Sequence, residues 1–114
     1  MPYELWYWPG IPGRGEFVRL SLEAGGIAYT DQAFADPDAL PGDMDERVPE
    51  PFAAPYLVAG DLVIAQVANI LLYLGDEHGL GPKDKAGRYF AHQVELTITD
   101  MVAEAHDTHH PVEL

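Results

Sequence analysis

The chain has 114 residues, 47% hydrophobic and 22% charged, enough for one domain with a core and too few for two of ordinary size. Six basic residues against 19 acidic ones leave a formal net charge of -13, which repels phosphate backbones and anionic lipid and argues against nucleic-acid and membrane-surface binding. Cysteine is absent, which excludes a disulfide framework, Cys-ligated metal and a cysteine nucleophile; without a membrane-length apolar run or a basic-then-apolar leader, the expected setting is cytoplasmic.

Tyr3-Glu4-Leu5-Trp6-Tyr7-Trp8 is dense in aromatics and predicts a strand. Pro9-Gly10-Ile11-Pro12-Gly13 breaks it as a loop. From Arg14 the pattern turns helical, with Phe17, Leu20, Ser21 and Ala24 on one face, and Gly25-Gly26 supplies the stop. Ile27 to Phe34 alternates and predicts a second strand, parallel to the first through a right-handed crossover. Asp36 to Pro51 is rich in proline and carboxylates, with Arg47 its only base; a short helix and a loop both fit. Tyr56-Leu57-Val58 and Leu62-Val63-Ile64 flank Ala59-Gly60-Asp61 as a hairpin. Val67, Ile70, Leu71 and Leu74 then form a helical stripe ending near Gly79. After the Gly81-Pro82 break, a longer helix starts near Asp84, carries Phe90, Val94, Ile98, Met101, Val102 and Ala105, and stops before Pro111. The order β-α-β, irregular segment, β-β-α, extra helix predicts an α/β domain with a four-stranded mixed sheet and helices packed on it.

That order is thioredoxin-like, and the residues go further. The run from Tyr3-Glu4-Leu5-Trp6-Tyr7-Trp8 to Gly13-Arg14-Gly15-Glu16 resembles the opening of tyrosine-type glutathione transferases. Ala54-Pro55-Tyr56-Leu57 and the stretch from Gly60-Asp61 through Gln66-Val67-Ala68-Asn69-Ile70 to Tyr73-Leu74 resemble their second half. The resemblance covers about the first three-quarters of the chain, and the last quarter is similar to the first helix of the family's all-helical domain. It implies a thioredoxin-like glutathione-binding domain over residues 1–80 and the beginning of a truncated all-α domain over residues 81–114. Three departures stand out. Val67 occupies the place of the family serine. The loop after Tyr7 is one residue longer, so a gapless alignment on Gly13-Arg14 brings Trp8 to the catalytic tyrosine position. The helical domain that normally supplies the second-substrate pocket is nearly all missing.

The resemblance implies a glutathione transferase that conjugates a small electrophile as a homodimer. A phenol at a strand end, facing a helix N-terminus, lowers a thiol's pKa by donating a hydrogen bond to the thiolate; Tyr7 takes that role, against the bland reading of a core aromatic. Arg14, at the start of the first helix, raises the local potential or simply pairs with Glu16. Ala54-Pro55 carries the family's cis proline, whose neighbouring backbone pairs with a cysteinyl peptide like an added strand; a strand-start proline also fits. Gln66 and Val67 open a helix whose free N–H groups attract the γ-glutamyl carboxylate, with one hydrogen bond lost through Val67. Trp8, Arg47 (for the glycyl carboxylate) and Asp100 (reaching a partner's glutathione amine) complete the implied glutathione contacts; solvated surface residues are the alternative for Arg47 and Asp100. His106, His109 and His110 have metal-ligand spacing but lack a catalytic zinc pattern, and no metal is expected. Without Cys-x-x-Cys, dithiol exchange is excluded, and Gly10, Gly13 and Gly15 lack the dinucleotide-binding spacing. A non-enzymatic thioredoxin-like binding or assembly module, or an inactive fragment of a transferase, is the competing reading.

Overall fold

The computed structural model describes residues 2–109. In chain order it contains β1 (Tyr3–Trp6), α1 (Gly15–Ala24), β2 (Tyr29–Asp31), α2 (Gln32–Ala35), α3 (Leu40–Glu46), β3 (Tyr56–Ala59), β4 (Leu62–Ala65), α4 (Val67–His78) and α5 (Lys85–His109). The strands form one sheet in the order β2-β1-β3-β4, with β1 parallel to β2, and the β1/β3 and β3/β4 pairs antiparallel. This is the thioredoxin-like arrangement expected from the sequence, followed by a helical region.

Alternation along the strands sorts the core into two layers. Leu5, Leu57 and Ile64 face α1 and α4, where they bury Val18, Leu22, Ile70 and Leu74. Trp6, Tyr56 and Val58 point the other way and cover Leu40 of α3. The segment from Asp36 to Pro51, which admitted either helix or loop, therefore contains a helix because Leu40 has a buried seat to occupy, and Pro41 fits its first turn, where no N–H is needed.

Two strands are shorter than predicted. β1 ends at Trp6 rather than Trp8, because its partner ladder ends at Tyr56 and the preceding Pro55 has no N–H to donate. The strand predicted from Ile27 to Phe34 keeps only Tyr29–Asp31. Asp31 accepts a hydrogen bond from the Ala33 N–H at 3.1 Å and caps α2, so a local side-chain bond replaces the ladder. The turn at the end of α4 is as expected: Gly79 is left-handed at φ 65° and closes back on Gly75.

On the α3 face a closed circuit of side chains ties strands to helix. Tyr56, fully buried, donates its hydroxyl to Asp43 at 2.6 Å. Asp43 also accepts from Arg47 Nε at 2.9 Å. Arg47 reaches Glu4 at 3.3 Å, and Glu4 accepts from the Trp6 indole N–H at 2.9 Å. The Trp6 and Tyr56 rings stack at 6.0 Å. Burial first, then the bond to Asp43, pushes the Tyr56 hydroxyl above its ordinary pKa, so it remains a donor. Asp43→Asn replaces a charged acceptor that serves two partners, and is expected to lower stability by about 2 kcal/mol. Urea unfolding of the two proteins measures this, and coincident midpoints would contradict the circuit's contribution.

Candidate functional site

Trp6, Tyr56 and Ala65 form one row across β1, β3 and β4. One residue further along each strand stand Tyr7, Pro55 and Gln66. The sheet thus gathers three of the residues singled out in the sequence at one end, the end from which α1 and α4 depart. The Ala54–Pro55 peptide is cis, and Pro55 is buried. Gln66 is the only non-glycine residue with a positive φ among the described residues, at 75°. It turns the chain from β4 into α4 and lends no side-chain cap, so the first N–H groups of α4 keep their positive dipole end. Arg14 and Val67 meet across a crevice of about 90 Å³, lined also by Phe17, Ala68, Ile98 and Val102.

Tyr7 is 8% exposed. Its ring lies over Gly13 and Gly15, and its hydroxyl accepts the Arg14 backbone N–H at 3.1 Å. A phenol that accepts one N–H keeps its own proton free to donate, and the accepted bond strengthens that donation. Trp8, by contrast, is 44% exposed. Of the two neighbouring aromatics, Tyr7 is therefore the one turned onto the helix start.

A residue not anticipated from the sequence holds this loop. Arg19 pairs with Asp31 at 2.6 Å, donates to the Pro12 carbonyl at 3.4 Å and lies 6.0 Å over the Tyr7 ring. Burial opposes its charge, but Asp31 outweighs that and holds the guanidinium above its ordinary pKa. Its one signal in the sequence was scarcity, since the whole chain has six Lys and Arg residues. Glu16, considered as a partner for Arg14, lies 3.7 Å from Arg19 instead, and Arg14 makes no ion pair among the described residues.

The remaining candidates are more dispersed. Arg47 is engaged by Asp43 and Glu4 on the α3 face. Asp100 is exposed on α5, next to Thr99, which lines the crevice. His106 lies 3.4 Å from Asp107, and His110 falls outside the described residues. Among the described residues no three potential metal ligands converge.

The chain is similar to known proteins along much of its length. Glutathione S-transferase P 1 of Xenopus laevis is 37% identical over 79 residues, spanning 68% of this chain. The chain is related to the glutathione S-transferases. The solved glutathione S-transferase of Ascaris lumbricoides superimposes on 75% of the chain with a TM-score of 0.55 and 28% identity. The structure of prostaglandin synthase D of Nilaparvata lugens covers 99% of it with a TM-score of 0.73, and at 18% identity shares the fold. The chain spans 37% of the Xenopus transferase, 40% of the Ascaris transferase and 55% of the Nilaparvata protein. No family model matches the chain.

Proposed function

We propose that the chain carries the glutathione site of a transferase, which activates the thiol for attack on a small electrophile. The observation that carries this reading is the row of Tyr7, cis Ala54–Pro55 and Gln66 at one sheet end, with the Tyr7 hydroxyl seated on the start of α1. In this reading Tyr7 donates to the thiolate sulfur. Arg14, exposed and without an ion pair among the described residues, adds positive potential beside it. The Ala54 backbone next to Pro55 pairs with the cysteinyl unit. The open N-terminus of α4, at Gln66 and Val67, takes the γ-glutamyl carboxylate, and the hydroxyl missing at Val67 costs about 1 kcal/mol. Trp8 flanks the tripeptide, and Asp100 serves a partner's site in a cytoplasmic homodimer. Arg47 already satisfies two carboxylates, which argues against its serving the glycyl carboxylate.

Calorimetric titration of the chain with glutathione tests the reading. A dissociation constant between micromolar and millimolar is expected, with weaker binding when Gln66 is replaced by alanine. Absence of heat at millimolar glutathione would refute it. A second reading, a binding module that holds glutathione or a protein partner without turnover, is favoured by Val67, which offers no hydroxyl at the start of α4. It predicts binding with no conjugation of a chromogenic electrophile at any protein concentration.

A further inference from the structure

The phenol of Tyr7 is seated by a loop with few ties of its own. The chain passes from Tyr7 to Arg14 through Pro9, Gly10, Pro12 and Gly13, and Arg14, the N-cap residue of α1, lends no side-chain bond. Among the described residues, one side chain bonds the backbone of residues 8–13: Arg19, from Nη1 to the Pro12 carbonyl at 3.4 Å. The same carbonyl accepts the Glu16 N–H at 3.0 Å and lies two residues before the Arg14 N–H that bonds the Tyr7 hydroxyl. Arg19 is itself anchored outside the loop. Its Nε donates to Asp31 Oδ2 at 2.6 Å, and both side chains are only 13% exposed. A pair so enclosed keeps its geometry, since separating it strands two charges. The other Asp31 oxygen accepts the Ala33 N–H and caps α2. Glu16, the second carboxylate beside the guanidinium, stands farther off at 3.7 Å and is more exposed. A continuous chain of contacts thus runs from the cap of α2 through Asp31 and Arg19 to the loop that places the phenol.

We propose that Arg19 and Asp31 are positioning residues for the Tyr7 phenol: anchored at the β2 edge of the sheet, they fix the loop so that the hydroxyl stays on the start of α1. They act through Tyr7 and not on a substrate, because the guanidinium is spent on Asp31 and the Pro12 carbonyl. Its carbon also lies 6.0 Å from the centre of the Tyr7 ring, so the same group touches the loop and the residue the loop seats. Arginine fits the task and lysine does not. A planar fork presents separate donors to a carboxylate and a carbonyl at once, whereas one ammonium on a flexible stem does not hold both in register. The kinetic consequence rests on the glutathione reading given above; the geometric consequence does not.

Nuclear magnetic resonance and kinetics on the full chain test the pair. The double variant Arg19→Met/Asp31→Asn keeps most of the bulk of both side chains and an oxygen for the Ala33 N–H, and it strands no charge. Its Arg14 amide signal is expected to move toward the position it takes in Tyr7→Phe. Conjugation of a chromogenic electrophile is expected to slow by about tenfold, with the rising limb of the pH profile at higher pH and the KM for glutathione within about twofold. Adding Tyr7→Phe to this variant is expected to slow it much less than Tyr7→Phe slows the unaltered chain, because the phenol is already displaced. Arg19→Lys, which keeps the charge, is expected to fall between the two and carries the same tests if the double variant does not fold. The proposal is overturned if the Arg14 amide signal stays where the unaltered chain has it, or if Tyr7→Phe costs as much in the variant as in the unaltered chain. If the unaltered chain conjugates no glutathione, the proposed function fails, and the amide signal alone decides the role of Arg19 and Asp31.

Discussion

Tyr7→Phe is expected to slow glutathione conjugation by about tenfold to a hundredfold at neutral pH, the worth of one hydrogen bond to a charged partner at roughly 1.5–3 kcal/mol. The loss should fall on kcat/KM and shift its rising limb to higher pH, because a thiol without the phenol's proton beside it ionises later. Glutathione affinity should change little, since the peptide's backbone and carboxylate contacts lie elsewhere. Stability should also hold. Among the described residues the hydroxyl accepts the Arg14 N–H alone, a donor at a helix start where Gly13 and Arg14 are exposed and water can replace the phenol. Steady-state rates against pH with a chromogenic electrophile measure all of this. An unchanged pH profile and rate would remove Tyr7 from the chemistry.

The second large effect comes from the two glycines under the Tyr7 ring. A Cβ at Gly13 would land on the phenol oxygen and lie 2.9 Å from Cζ, at a residue whose φ is +43°. A Cβ at Gly15 would stand 2.7 Å from both Cγ and Cδ2 of the ring, far closer than packed atoms tolerate. Gly13→Ala is expected to displace the hydroxyl and to add a left-handed penalty of about 1–2 kcal/mol. Gly15→Ala carries no such penalty and gains helix propensity of about 1 kcal/mol. It nevertheless moves the base of the ring, an overpacking cost of about 1–3 kcal/mol. Both variants should therefore conjugate no faster than Tyr7→Phe, while Gly13→Ala is the less stable of the two. Rates together with urea midpoints decide this. Full activity in either variant would mean that the ring's position is not held as described.

The hairpin, the stripe on α4 and the long last helix were legible because each rests on local periodicity, punctuated by the Gly60 turn, the Gly79 stop and the Gly81-Pro82 break. The two misjudged strands failed for a common reason. Residues 3–8 and 27–34 have strand-forming composition along their whole length, but their ends are set by single contacts that composition does not reveal: Pro55 lacking an N–H opposite β1, and Asp31 turning to cap α2. The helix at Leu40–Glu46 hides in a proline- and carboxylate-rich stretch because a single buried leucine anchors it. Of the candidate site, Tyr7, Ala54–Pro55 and Gln66–Val67 were singled out through the resemblance, and the register puts Tyr7, Pro55 and Gln66 at one sheet end. The Arg19 pin was not readable, since it joins residues that are separated in the chain and carry no motif.

The sheet ends laterally in β2, three residues long, and β4, four residues long. A stray strand pairing at either margin would form only a few ladder bonds. The short margins thus disfavour stacking of copies into extended β-assemblies, even though bulky side chains such as Leu62 lie open to solvent.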